Sequence, residues 1–118
     1  MVVITLPWPP KQLSPNTTAH WAVKNLHKQR YKQACYWLAM EAGIRPNQKY
    51  KGPFAVHMKF IPPTRRNRDE DNLIASMKAA LDGIADAMGV NDTEFRLTHE
   101  VDRANIAGMV EVSIEGMT

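Results

Sequence analysis

A chain of 118 residues can build one hydrophobic core and is too short for two of ordinary size, so residues 1–118 are expected to form a single domain with its site on the surface or at a subunit boundary. Its 44% apolar and 23% charged residues exclude a disordered chain, and no apolar run approaches the roughly 18 residues of a membrane span. The formal net charge of +3 is small but unevenly placed: Lys24, Lys28, Arg30 and Lys32 crowd one segment, Lys49, Lys51 and Lys59 follow, and Arg65, Arg66 and Arg68 form a third cluster. Such clusters suit a polyanionic partner, because phosphate contact and counterion release are what they provide; a solvated basic face explains them equally well on charge alone.

The opening "MVVITLPWPP" has neither a basic leader nor a long apolar stretch, so export is not expected and a cytoplasmic address is the expectation. Within it the β-branched run 2–6 predicts a first strand ending at Pro7. Prolines 7, 9, 10 and 15 then impose a stiff extended loop to about Thr17, on which Trp8 is expected to be a structural anchor. From about Thr18 to Ala42 the pattern turns helical, with Tyr31, Ala34, Cys35, Leu38 and Ala42 at spacings of three and four and Gly43 as the stop. Cys35 is the only cysteine, so no intramolecular disulfide or CxxC site can form, and His20, His27, His57 and His99 lack zinc-ligand spacing.

Residues 53–63 predict a strand buried on one side, with Phe54, Val56, Met58 and Phe60 on one face and Ala55, His57, Lys59 and Ile61 on the other. After the loop "TRRNRDED", Leu73, Ile74, Met77, Leu81, Ile84 and Met88 predict one amphipathic helix stopped by Gly89. Beyond the turn "GVNDTE", the stretches 95–103 and 108–116 predict two strands joined as a hairpin. The order β, α, β, α, β, β gives an α+β class: a small mixed sheet with two main helices packed on it.

The chemistry concentrates in "RDEDNL" at 68–73. If its approach is extended, Asp69 and Asp71 point the same way with Glu70 turned aside. At about 100° per residue, Asp71, Lys78 and Asp82 fall along one stripe of the following helix. Side-by-side carboxylates suit Mg²⁺, which takes one or two of them and completes its shell with water and phosphate oxygens. A third acid, Asp92, lies past the helix, so it can join only if the chain folds back or a partner subunit supplies it. The competing account is a helix cap with ion pairs, since one of Asp69 and Asp71 can accept backbone N–H bonds at the positive end of the helix dipole. Lys78 likewise has two readings, an i,i+4 pair with Asp82 or an ammonium that stabilises charge on a phosphodiester.

Taken in order, "ITLPWPP" at 4–10, "SPN" at 14–16, "HW" at 20–21, "RDEDNL" at 68–73, "MKAALDGI" at 77–84 and "VND" at 90–92 resemble the RusA family of Holliday-junction resolvases, often encoded by phages or prophages. That resemblance implies a homodimeric, Mg²⁺-dependent endodeoxyribonuclease of DNA recombination and repair. It would nick four-way junction DNA symmetrically and need no small-molecule cofactor. It implies Asp69, Asp71 and Asp92 as metal ligands, Lys78 as the catalytic base residue, and Asn72 and Asp82 in support. Arg65, Arg66, Arg68, Lys24, Lys28, Arg30 and Lys32 would then contact DNA. Two departures stand out. The family's commoner lysine position, four residues after the second aspartate, holds Ala75, and its paired acids are here Asn91 and Asp92. A non-catalytic branched-DNA-binding dimer and a metal-dependent phosphatase or nucleotidyltransferase acting on small molecules are the competing functions.

Overall fold

The alternation at 54–60 does what a period of two dictates: Phe54, Val56, Met58 and Phe60 are buried, while Ala55 is exposed and His57 and Lys59 are half-buried; Ile61, expected on the open face, is buried as well where the strand ends. This strand, Phe54–Ile61 (β2), sits inside a four-stranded mixed sheet. The computed structural model describes residues 1–116. The other strands are Val2–Pro7 (β1), Phe95–Val101 (β3) and Met109–Glu115 (β4), in the spatial order β1-β4-β2-β3. Ile4, Leu6, Val110, Val112 and Ile114 complete the buried sheet face, and the buried apolar side chains form one cluster. The class is α+β, and among the described residues no helix is long and apolar enough to cross a membrane.

Two sequence expectations change. The stretches at 95–103 and 108–116 are strands but not a hairpin: β2 lies between them, parallel to β3 and antiparallel to β4. β4 carries the fully buried Val110, Val112 and Ile114 and is flanked on both sides, β3 exposes residues 96 to 100 and takes one edge, and β1 takes the other while still burying Ile4 and Leu6.

The second helix is broken in two, at Glu70–Ser76 (α2) and Lys78–Met88 (α3). At the joint Met77 has φ −88° and ψ −2° and its N–H reaches the Ile74 carbonyl at 3.0 Å, a tighter turn than the α-helix makes. The Ser76 hydroxyl donates back to the Asn72 carbonyl at 2.8 Å, a bond that bends helices. Met77 itself is fully buried, with Tyr31 Oη 3.8 Å from its sulfur.

The first helix runs from Trp21 to Glu41 (α1), three residues later than the periodicity suggests, because His20 Nδ1 caps it by accepting from the Ala22 N–H at 3.2 Å. Its buried stripe is Tyr31, Cys35 and Ala39 rather than the predicted set, for Ala34 and Ala42 are exposed and Leu38 half-buried. The Tyr31 hydroxyl donates to the Pro7 carbonyl at 2.6 Å, tying α1 to the end of β1. Burial pushes the Cys35 thiol up to about 12, so it stays protonated and inert.

Candidate functional site

Asp69 starts α2. One carboxylate oxygen accepts the N–H groups of Asp71 at 2.9 Å and Asn72 at 3.4 Å, which is the capping role foreseen for one of the two acids. Glu70 turns away to the edge strand, where His99 Nε2 lies 2.9 Å and Arg103 Nη2 3.2 Å from its two oxygens. That pairing went unseen in the sequence because nothing local links residue 70 to residues 99 and 103. Asp71 is left exposed in the first turn.

Arg68 does not reach outward as a phosphate-gripping residue would. Its guanidinium folds back on the preceding loop, donating to the Thr64 carbonyl at 2.8 Å, the Thr64 hydroxyl at 2.7 Å and the Arg66 carbonyl at 3.1 Å. It also lies 5.4 Å from the Trp8 ring centroid, in cation–π contact. Desolvation, then the neighbouring charge of Arg66, lowers its pKa. Trp8 is the anchor expected of it, packed edge-on against Phe60 with centroids 6.0 Å apart. Arg68 thus positions the loop, while Arg65 and Arg66 stay exposed.

At the other end of the site the chain folds back within one protomer. Gly89, with φ +72°, closes α3 by sending its N–H to Asp86, and the Val90 N–H returns to the Ala85 carbonyl at 3.0 Å. Asn91 then caps a short 3-10 turn at Asp92–Glu94. This brings Asp92 into an ion pair with Lys78, whose ammonium also lies 3.2 Å from Asp82. The single stripe expected from Asp71 to Asp82 is therefore interrupted at Met77: Lys78 and Asp82 remain together, and their third partner is Asp92.

The charges explain one another. Hydrogen bonds to Asp92 and then Asp82 raise the Lys78 pKa above its ordinary value. Asp92 is held below the usual carboxylate range, chiefly by Lys78 and next by Asp82. In this arrangement the Lys78 ammonium is shared between two carboxylates.

Three clefts join these parts. Trp8, Lys11, Arg66, Arg68, Asp69 and Asn72 line one of about 490 Å³. Lys24, Lys28, Lys32, Lys78 and Asp82 line the next, of about 520 Å³, which shares Ser14 and Ser76 with the first. A third holds Lys32, Asp82, Asp86, Asn91 and Asp92. Arg30 lies about 160° around α1 from the centre of the Lys24, Lys28 and Lys32 stripe, on the outer side.

The donor set consists of exposed carboxylates, the hard oxygen ligands that suit Mg²⁺. Among the described residues no three His, Cys, Asp or Glu side chains converge on one ion position, so a closed cage of Asp69, Asp71 and Asp92 does not form. Asp82 and Asp92 do converge on a cation, the Lys78 ammonium. Asp69 keeps its second carboxylate oxygen clear of the capping bonds. The residues fit an ion that takes one or two protein carboxylates and completes its shell with water and phosphate oxygens.

No protein-family model matches the chain. An uncharacterized protein of Xylella fastidiosa (strain Temecula1) is 36% identical over 121 residues, covering 100% of this chain and 78% of that protein. The chain belongs to the same family as that protein.

Proposed function

We propose that this member of the Xylella fastidiosa protein's family is a cytoplasmic, Mg²⁺-dependent DNA endonuclease of the RusA type, a homodimer that nicks four-way junctions in recombination and repair. The observation that carries the reading is the Lys78 ammonium held between Asp82 and Asp92 beside a cleft walled by lysines. The chain's own groups supply what phosphodiester hydrolysis needs most, which is fixed positive charge where negative charge develops. Lys78 would face the scissile phosphate as that charge, and Arg65 and Arg66 would hold flanking phosphates.

Of the three acids that the resemblance implies, Asp92 would hold the ion directly, with Asp82 beside it because both face one cation, and Asp69 and Asp71 would act on it through its water and phosphate oxygens. When bound, the ion would supply Lewis acidity for water activation and charge neutralisation at the phosphate. Asn72 belongs with the support of the Asp69 turn, since its N–H is one of the two that the Asp69 carboxylate accepts. Two symmetric nicks call for two sites related by a twofold axis, which a homodimer provides.

Incubating a mobile four-way junction with the protein, with and without Mg²⁺, tests the proposal on a sequencing gel. Paired nicks at symmetric positions, present only with the metal, are the expected result. Junction binding without cutting would replace the enzyme with a branched-DNA-binding dimer. Equal affinity for junction and linear duplex would overturn both.

A further inference from the structure

One side of α1 changes character along its length. In the C-terminal half it buries Tyr31, Cys35 and Ala39 in the core. In the N-terminal half, where residues 21 to 30 include no buried side chain, the same side carries Lys24 and Lys28, and Lys32 continues the row. The outer side is the reverse, with Leu26 at 47% and Trp37 at 57% exposure. A solvated surface helix turns its lysines outward and its apolar residues inward. Here the lysines instead wall the 520 Å³ cleft that ends at Lys78 and Asp82.

The charge in that cleft is unbalanced. Lys78 is paired with Asp82 and Asp92, and Lys32 with Asp86 at 3.3 Å, but Lys24 and Lys28 have no acidic partner among the described residues. Like charges gathered on one wall repel one another until a polyanion enters. Residues four apart on a helix are about 6 Å apart along its axis, so the three lysines form a ladder about 12 Å long. A cleft of about 520 Å³ admits an extended strand. A whole duplex cannot enter it and could lay only one of its two backbones along the rim.

We propose that the cleft between α1, α3 and the loop at 12–15 holds the sugar–phosphate backbone of one DNA strand and leads it to the Lys78, Asp82 and Asp92 cluster. The inference rests on the endonuclease reading for the identity of the polymer. At a branch point the strands part, and a track for a single strand gives the enzyme a grip that linear duplex does not offer.

The test measures binding of oligo(dT), oligo(U) and a blunt duplex to the full chain in EDTA across a salt series. Single-stranded DNA should bind more tightly than duplex. Lys24→Gln with Lys28→Gln should flatten the dependence of log K on log salt by about 1.4, at about 0.7 per phosphate contact for a single strand. Arg30→Gln removes the same kind of charge from the outer side of the same helix and should leave the slope unchanged. An equal loss per charge in both variants would overturn the track in favour of diffuse attraction, as would no loss in the double variant. Tighter binding of oligo(U) than of oligo(dT) would overturn the assignment to DNA. Thermal melting of each variant verifies that the fold is retained. If the double variant binds strands with an unaltered slope while the wild type nicks junctions, the cleft assignment fails and the endonuclease stands. If the slope falls as expected and no junction is ever cut, the track stands and the endonuclease fails.

Discussion

Lys78 and Asp92 are fourteen residues apart in sequence and form an ion pair in the fold, with Asp82 on the other side of the same ammonium. The pair exists because the chain reverses at Gly89 and Asn91, and its behaviour with pH follows from the two shifts.

Asp92 is held below its ordinary value of 3.8, so its contribution is present above that value and is lost as pH falls through the lower folded one. Lys78 is raised above 10.5, so its contribution is present below that value and is lost as pH rises through the higher folded one. The pair faces solvent and is worth at most about 1 kcal/mol. In metal-free buffer, wild type should melt slightly higher than Asp92→Asn at about pH 7, and the gap should be smaller at about pH 3, below the ordinary carboxylate value. A gap of the same size at both values would show that Asp92 stabilises by something other than charge.

Asp69 has a capping role that can be separated from chemistry. Asn is as good an N-cap as Asp, so Asp69→Asn should leave the melting temperature nearly unchanged, whereas Asp69→Ala should cost about 1 kcal/mol. Under the proposed function both variants, and Asp71→Asn, should lose Mg²⁺-dependent junction cleavage while retaining junction binding. Full cleavage by Asp69→Asn would remove this residue from the site and leave it only as a cap.

Gly83 lets two helices touch. A Cβ at this position would stand 2.3 Å from the Lys32 carbonyl oxygen and 3.2 Å from the Tyr36 nitrogen, both backbone atoms of α1. Gly83→Ala should therefore destabilise by about 1–3 kcal/mol in urea unfolding, despite a helix-propensity gain of about 1 kcal/mol. A stabilised variant would mean that α1 and α3 separate more easily than this packing implies.

Arg68 ties down the loop that leads to the acids. Arg68→Lys keeps the charge but cannot reproduce the planar fork that reaches Thr64 and Arg66. Trypsin should cut this variant after Arg65 or Arg66 several-fold faster than wild type, at unchanged global stability. Equal cutting rates would show that Trp8 and the prolines hold the loop without it.

Much of this architecture is legible in the residues themselves. The period of two at 54–60, the helix stop at Gly89 and the cap at the start of "RDEDNL" follow from local rules that act over a few residues, and each appears where the sequence puts it. The α+β class follows from their order. Local rules do not decide which strand lies beside which: residues 109–115 pair with β1 on one side and β2 on the other, partners about 50 to 110 residues away in the chain that only the assembled sheet brings together. The break at Met77 has a local contributor in the Ser76 hydroxyl bonded to the Asn72 carbonyl, but the apolar spacing runs through it unchanged and so hides it. The meeting of Asp92 with Lys78 and Asp82 is likewise tertiary. The sequence supplies the charges, but their contact depends on the chain reversing after α3 at Gly89 and Asn91.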